Sequence, residues 1–133
     1  MINDPIGDLL VRIKNGGIAR KPEVRLPCSR IKETILKILS GTGYIAGYQV
    51  QENPGRWKEL VVKLKYGSGS THAIKGIKRV STPGCHIYIS CSEIKRKIRG
   101  QDKLGIISTS RGVLSHQEAQ KQKLGGEFLA IIW

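Results

Sequence analysis

The chain is short and strongly basic, with 133 residues of which 39% are hydrophobic, and with 23 Lys and Arg against 10 Asp and Glu. Its length suits one compact domain or two small lobes and excludes a large multi-domain enzyme, and its apolar fraction suffices for a packed core and excludes wholesale disorder. The formal net charge of +13 favours polyanionic partners, with acidic substrates and nucleic acid first among them.

The first segment has the pattern of an amphipathic helix. Asp4 is suited to its N-cap, and Pro5 is suited to its first position, because an N–H there would have no partner within the helix. Its apolar residues recur at the spacing of one helical face and are Ile6, Leu9, Leu10 and Ile13. We expect the helix to end at Gly16 and Gly17.

The rest of the first half is predicted to contain a second helix and three strands. The strands are expected at residues 24–26, 44–51 and 60–66. The helix begins at Ser29 and is ended by Gly41 and Gly43. Asn53-Pro54-Gly55 turns the chain between the last two strands, and residues 67–70, which are only Gly and Ser, are either a linker or a hairpin tip.

Short strands with small helices are predicted after this break. The strands are expected at residues 74–80, 85–89, 104–109, 113–114 and 127–133. Ser92 is expected to cap a basic helix at residues 93–99. A capping box that begins at Ser115 opens a further helix, which is expected to stop at Gly125 and Gly126.

These elements predict the α+β fold class with two small lobes. The N-terminal α-β-α-β-β lobe is expected at residues 1–66, and the mostly β C-terminal lobe with short helices at residues 67–133. The first lobe carries 12 basic and 6 acidic side chains, and the second carries 11 and 4. Because both lobes are basic, the positive charge belongs to the folded body rather than to a tail.

The cysteine pattern and the start of the chain bear on the compartment. The three cysteines, Cys28, Cys85 and Cys91, form no disulfide framework, and the first ten residues lack the regions of a signal peptide. The longest apolar run, residues 128–133, is much shorter than the roughly 20 residues that cross a bilayer. We therefore expect a soluble protein of a reducing compartment with no membrane partner.

Catalytic and metal-binding motifs are weak in this sequence. His72, His86 and His116 are scattered, and Cys85 and His86 point to opposite faces of a predicted strand. Together with Cys91 they lack a C-x-x-C pair and a fourth metal ligand, and no phosphate-binding glycine loop occurs. We expect no catalytic site, no metal, no cofactor and no small-molecule substrate. The rival is a small enzyme with a Cys or His catalyst that acts on a phosphorylated or nucleic-acid substrate.

The pattern that favours RNA consists of a basic cluster and a hydroxyl-rich turn. The basic cluster comprises Lys95, Arg96, Lys97, Arg99 and Lys103. The turn, Ser108-Thr109-Ser110-Arg111-Gly112, combines small hydroxyls with a guanidinium and a glycine that permits a tight bend. Only 5% of residues are aromatic, so basic side chains, hydroxyls and backbone groups would recognise a structured RNA rather than stacked bases. Taken alone, the two segments are a solvated face and a polar hairpin tip.

Several segments, in their order and spacing, resemble one family over nearly the whole chain. They are residues 4–8, 12–15, 27–32, 43–45, 79–81, 83–84 and 87–88, the block STSRGVLSHQEA at residues 108–119, and residues 124–127. The family that they resemble is the bacterial-type small-subunit ribosomal protein S8 family. The chain departs from its pattern at Thr82, a position that is commonly basic in the family, and in the extra residues 101–103.

This resemblance implies a non-enzymatic ribosomal component with a two-lobe fold. It implies direct binding to the central domain of small-subunit ribosomal RNA early in assembly, neighbouring small-subunit proteins as partners, and a similar helix in the chain's own messenger RNA as a further ligand. The implied location is the cytoplasmic ribosome of a bacterium or a bacterial-type organellar ribosome. The alternative is a general basic nucleic-acid-binding protein or RNA chaperone without sequence selectivity.

The resemblance also implies RNA-binding residues in both lobes. In the C-terminal lobe they are Ser108, Thr109, Ser110, Arg111, Gly112, Tyr88, Gly126 and Glu127. In the N-terminal lobe they are Arg12, Asn15, Ser29, Arg30 and Lys32. The implied role of Glu127 is to accept hydrogen bonds from base or ribose donors, because a carboxylate repels phosphate.

Overall fold

A computed structural model describes residues 4–52, 54–55, 58–67, 71–98 and 102–133. Over these ranges the chain forms four α-helices and eight β-strands arranged in two sheets, and the predicted α+β class is confirmed. The chain divides into two compact units, which are Pro5–Lys75 and Gly76–Trp133 with Asp4. None of the described helices is long and apolar enough to span a membrane.

The division between the units falls later in the chain than residue 67, where the sequence places the candidate boundary. Residues after this point return to the first unit, since the Ala73 N–H donates to the Lys65 carbonyl over 3.0 Å and Tyr66 pairs with His72. The tilted rings of Tyr66 and His72 lie 5.5 Å apart. Ser68, Gly69 and Ser70, at the centre of the predicted break, lie outside the described residues, as does Asn53 of the predicted turn.

The first unit has the predicted α-β-α-β-β order. Its elements are α1 (Pro5–Ile18), β1 (Glu23–Pro27), α2 (Arg30–Thr42), β2 (Ile45–Gln51) and β3 (Glu59–Leu64). The strands form an antiparallel sheet in the order β1-β3-β2. The apolar faces of both helices and residues of all three strands supply its buried core, which includes Leu9, Ile13, Leu26, Ile35, Leu36, Leu39, Ile45, Leu60 and Val62.

Gly16 and Gly17 do not end the first helix, as the sequence predicted, because α1 continues to Ile18. Both glycines are buried where other parts of the unit approach the helix backbone. A Cβ at Gly16 would lie 2.5 Å from Cγ1 of Val24, and one at Gly17 would meet the imidazole of His72. These glycines are therefore close-packing positions within the helix, and tertiary contacts outweigh their low helix propensity.

The second helix is bounded by one predicted cap at each end. The Ser29 hydroxyl accepts a hydrogen bond from the Lys32 N–H over 3.3 Å, which satisfies one of the free donors of the first turn. Gly43 ends the helix with φ of +86°, the left-handed conformation that favours glycine. The prediction that Gly41 also ends it is wrong, since α2 runs to Thr42.

The second unit places two short helices against a five-stranded sheet. Its elements are β4 (Ile77–Arg79), β5 (Tyr88–Ile89), α3 (Cys91–Lys97), β6 (Leu104–Thr109), β7 (Gly112–Ser115), α4 (His116–Lys121) and β8 (Gly126–Ile132). The antiparallel order is β4-β8-β6-β7, and β5 pairs with β8. One face of the sheet meets the helices in a buried cluster of Ile89, Ile94, Ile98, Ile107, Ala119 and Phe128.

The ends of three elements in this unit differ from the prediction. Helix α3 is capped by Ser90 rather than Ser92, because Glu93 accepts the Ser90 N–H over 3.2 Å. Hydrogen bonds lower the pKa of the Glu93 carboxyl to about 2, the Ser90 hydroxyl contributing most. Strand β5 begins only at Tyr88, and α4 ends at Lys121, before the two predicted glycines. The N-cap role of Ser115 is confirmed, while residue 99 of the predicted basic helix lies outside the described residues.

Candidate nucleic-acid interface

The hydroxyl-rich segment forms a tight hairpin tip between β6 and β7. Thr109 pairs with Gly112, whose φ of +102° requires glycine, so that Ser110 and Arg111 alone connect the strands. The Thr109 hydroxyl donates to the Gly112 carbonyl over 2.8 Å and accepts the Arg111 N–H over 3.1 Å. The Thr109 hydroxyl thus holds the turn together. Ser110 and Arg111 are exposed, and their side chains bond to no described residue.

Three predicted site residues form a row across neighbouring strands. Glu127 of β8 pairs with Tyr88 of β5 on one side and with Ser108 of β6 on the other. Directly paired residues of antiparallel strands project to the same face, with Cβ atoms about 5 Å apart. Their neighbours along each strand, Ile89, Ile107 and Phe128, are buried in the core cluster. Tyr88, Glu127 and Ser108, here called the polar row, therefore occupy the face away from the core.

The polar groups of this row are largely unused by the fold. Tyr88 is 68% exposed, and within the described ranges neither its hydroxyl nor that of Ser108 makes a hydrogen bond. Oε2 of Glu127 lies 2.6 Å from Nδ1 of His86. His86 is not among the RNA-binding residues that the sequence predicts. The usable signal was its position two residues before Tyr88, since alternate residues of an extended chain share a face.

A buried serine holds the segment that carries His86 and Tyr88. The Ser81 hydroxyl, in a residue only 1% exposed, accepts the Ile87 N–H over 2.8 Å and donates to the Ile87 carbonyl over 3.0 Å. The Phe128 N–H donates to the same carbonyl over 2.8 Å. Sequence reasoning missed this role. The sequence signal for this role of Ser81 was its position next to a turn, where serine side chains often bond to the backbone.

Gly126 lies where strands β8 and β6 approach each other closely. A Cβ at Gly126 would lie 2.0 Å from the carbonyl oxygen of Ser108, which is a backbone atom and has no side-chain freedom to move away. Only glycine lets β8 reach β6 beside the polar row. Any contact of Gly126 with a ligand is therefore made by its backbone.

In the first unit, two predicted residues line a basic groove beside α1. Arg12 and Asn15 border a groove of about 430 Å³ together with Lys21 and Arg25. The Arg12 guanidinium donates to Asp8 over 3.0 Å and to the Arg25 carbonyl over 3.2 Å. These bonds fix the guanidinium at the groove while leaving the residue exposed.

The three predicted residues at the start of α2 differ in exposure. Arg30 is exposed and lines a second groove of about 440 Å³. Ser29 is the helix cap described above. The Lys32 side chain is only 8% exposed, and its ammonium donates to the Pro27 carbonyl over 3.4 Å and lies 3.7 Å from Asp8. The fold therefore uses the polar groups of Ser29 and Lys32, and Arg30 supplies the free charge.

The remaining titratable groups serve the fold or lie at its surface. Nδ1 of His116 accepts the Gly105 N–H over 3.0 Å, and burial lowers the pKa of both His116 and His72. Among the described residues, no group of three or more His, Cys, Asp or Glu side chains is placed to hold a metal ion. In the basic helix α3, the Lys97 ammonium lies 3.1 Å from the Glu93 carboxylate, and the helix keeps Lys95 exposed.

Comparison with known proteins agrees with the order of these elements and extends over the whole chain. The family model described as ribosomal protein S8 matches residues 4–133. Small ribosomal subunit protein uS8 of Persephonella marina is 44% identical over 137 residues, which cover 100% of both chains. The proteins of the same name from Syntrophobacter fumaroxidans and Acholeplasma laidlawii are 42% and 40% identical, over 99% and 100% of this chain and 98% and 99% of their own length. The chain therefore belongs to the ribosomal protein S8 family, as a structural, non-enzymatic component of the small ribosomal subunit whose partners are ribosomal RNA and ribosomal proteins.

Proposed function

We propose that this chain binds the central domain of small-subunit ribosomal RNA directly and supports the assembly of that domain. The observation that carries the proposal is the polar row beside an exposed hairpin tip. Tyr88, Ser108 and Ser110 keep their hydroxyls free of bonds to the described residues, on the face away from the core or at the tip itself. A folded chain that leaves several hydroxyls unpaired in one place offers them to a polar ligand.

Each part of this surface has a distinct role in the proposal. The Arg111 guanidinium binds phosphate, which supplies affinity and carries no sequence information. The Ser108 and Ser110 hydroxyls meet base edges or the ribose 2′-OH, and Glu127 accepts from donors there. Thr109, Gly112 and Gly126 shape the backbone that presents these groups. Tyr88 packs its exposed ring on a ribose or base.

The first unit adds a second contact in the same proposal. Arg12 and Asn15 bind the RNA backbone at the groove beside α1, and the exposed Arg30 binds phosphate near the start of α2. Ser29 and Lys32 act by shaping the chain around Arg30, since their own polar groups are held by the fold. The sequence predicts lobes at residues 1–66 and 67–133, and in this proposal each of them contributes its own RNA contacts.

The test is equilibrium binding of the purified chain to a central-domain RNA helix and to a scrambled duplex at matched salt concentrations. With about 6–10 phosphate contacts, affinity for either RNA falls by roughly 10³–10⁵ between low and moderate salt, so only matched conditions reveal selectivity. We expect selective binding at moderate salt, and loss of that selectivity in Ser110→Ala. Gln117→Ala, which removes an exposed polar side chain from α4, is the matched control and keeps full selectivity.

The result that would contradict the proposal is equal binding to both RNAs that salt abolishes equally. That outcome would leave a general basic nucleic-acid-binding protein or RNA chaperone. Arg111→Ala separates general affinity from selectivity. It weakens binding to both RNAs alike and reduces the slope of log affinity against log salt by about one. Lys121→Ala removes an exposed charge from α4 and controls for net charge.

The same surface would bind a helix of the same shape in the messenger RNA that encodes the chain. The ligand chemistry is identical, since both targets are structured RNA helices read by phosphate, ribose and base-edge contacts. The test is competition between the central-domain helix and the similar helix of that messenger RNA. Mutual displacement, weakened equally by Ser110→Ala, is expected, and simultaneous binding of both RNAs would contradict a shared surface.

A further inference from the structure

We propose that His86 is a positioning residue, which holds the Glu127 carboxylate in the polar row so that its second oxygen accepts a hydrogen bond from a donor on the RNA. This inference rests on the proposed function and adds to it a residue that the sequence resemblance does not include. The ligand chemistry that it selects is a hydrogen-bond donor, either an exocyclic base amine or a ribose 2′-OH.

The contact between His86 and Glu127 is a short, directional one. Nδ1 of His86 and Oε2 of Glu127 are 2.6 Å apart. An ionised carboxylate can only accept hydrogen bonds, so the proton lies on Nδ1 and the imidazole donates it. Such charge-assisted bonds are shorter and stronger than bonds between neutral groups.

The backbone around His86 is itself held in place. Ile87, the next residue, is bonded to the buried Ser81 hydroxyl through both its N–H and its carbonyl, and to the Phe128 N–H. This anchoring keeps the segment extended beside β8, where Tyr88 pairs with Glu127. His86 and Tyr88 are alternate residues of that segment and so lie on the same side of it. The imidazole thus reaches Glu127 from an ordered position.

Glu127 has one engaged oxygen and one that is available. Its side chain is 23% exposed, and within the described residues only His86 bonds to its carboxylate. Without this bond the flexible side chain of Glu127 would sample several rotamers and turn toward other cations of a chain whose net charge is +13. With Oε2 engaged, Oε1 keeps a defined position in the row between Tyr88 and Ser108.

The available oxygen is selective for its ligand. A carboxylate repels phosphate, so a backbone phosphate is excluded from this position. It accepts from amine or hydroxyl groups, which base edges and ribose present in the shallow minor groove of an RNA helix. His86 therefore contributes to discrimination between RNAs, while Arg111 at the hairpin tip contributes to general affinity.

The test is a double-mutant cycle on binding of the central-domain RNA helix, with the scrambled duplex measured in parallel. His86→Ala and Glu127→Gln are each expected to lower affinity for the central-domain helix by about tenfold relative to affinity for the scrambled duplex. The double variant is expected to bind no more weakly than the weaker single variant, because both changes disrupt the same hydrogen bond between the positioned carboxylate and the RNA donor. His86→Asn places an amide N–H near the Nδ1 position and is expected to restore most of the affinity.

Two further measurements separate positioning from other roles. The slope of log affinity against log salt is expected to be unchanged in His86→Ala, whereas a direct phosphate contact by His86 would reduce it by about one and overturn the inference. Thermal unfolding shows whether the variants remain folded, which is expected because the His86 side chain is 55% exposed.

The failure of this inference is distinguishable from the failure of the proposed function. If the wild-type chain binds both RNAs equally, the proposed function fails and this inference fails with it. If the wild-type chain is selective while His86→Ala retains full selectivity, or if the two single effects add in the double variant, only the role of His86 is refuted. Gln117→Ala again serves as the matched control.

Discussion

Replacement of Ser81 by alanine tests how the fold presents the polar row. The change removes one oxygen from a residue that is 1% exposed, together with the two hydrogen bonds of 2.8 and 3.0 Å to Ile87. The Ile87 carbonyl keeps the Phe128 N–H, but the Ile87 N–H loses the Ser81 oxygen as its acceptor. A lost hydrogen bond removes about 1 kcal/mol, and a stranded donor increases the penalty. We therefore expect the free energy of unfolding to fall by about 2 kcal/mol.

Urea denaturation measures this loss, and RNA binding measures its consequence. Because Ile87 separates His86 from Tyr88, loosening of this segment is expected to weaken selective binding of the central-domain helix as well. The matched control is Ser92→Ala, whose exposed hydroxyl bonds, among the described residues, to the exposed Ser90 hydroxyl alone. Its free energy of unfolding should stay within about 0.5 kcal/mol of the wild type. If Ser81→Ala matched this control in both stability and RNA affinity, the anchoring role of Ser81 would be refuted.

Three other changes probe the roles that the structure assigns to single residues. Gly126→Ala drives a methyl group into a backbone carbonyl of β6 and should lower the free energy of unfolding by about 3 kcal/mol, while Gly84→Ala, in open space, should change it little, both measured by urea denaturation. Lys32→Ala should lower it by about 2 kcal/mol without changing the salt slope of RNA binding, and Arg30→Ala should reduce that slope by about one and leave stability unchanged. Burial lowers the pKa of His116. Below about pH 6.5 the imidazole is therefore protonated in the unfolded state but not in the native state, and the free energy of unfolding falls as pH drops toward the native-state pKa. His116→Asn, which keeps an acceptor and does not titrate, should flatten the profile of thermal unfolding between about pH 7 and 5.

Each of these expectations has an outcome that contradicts it. A Gly126→Ala variant as stable as Gly84→Ala would mean that β6 and β8 separate without loss. Equal salt slopes for Lys32→Ala and Arg30→Ala would remove the distinction between a buried and an exposed cation. A pH profile that is as steep in His116→Asn as in the wild type would assign the titration to another group, with His72 first, since burial lowers its pKa too.

Local signals in the sequence were sufficient for most of the elements. The apolar spacing of α1, the strand pattern of β3 and the N-cap at Ser115 depend on neighbouring residues, and the structure confirms all three predictions. Gly43 ends α2 because a left-handed residue there is a local requirement of the chain. Periodicity and caps act within a few residues, which is why sequence alone predicts them.

Long-range packing decided the points where local signals failed. Gly16 and Gly17 look like helix ends in sequence, yet they remain helical because Val24 and His72 press against them. Lys32 reads as a free cation and is buried beside Asp8. None of these three neighbours is close in sequence to the residue that it affects, so no local rule contains this information.

The candidate site divides in the same way. The sequence alone determined the basic charge, the hydroxyl-rich turn and the resemblance that names Tyr88, Ser108 and Glu127 individually. Only the tertiary structure placed these three in one row and joined His86 to Glu127, because the register of β5, β8 and β6 brings together strands that lie far apart in the chain. Strand register is set by which side chains are buried on the core face of the sheet. This burial involves residues from distant parts of the chain, so no single segment determines it.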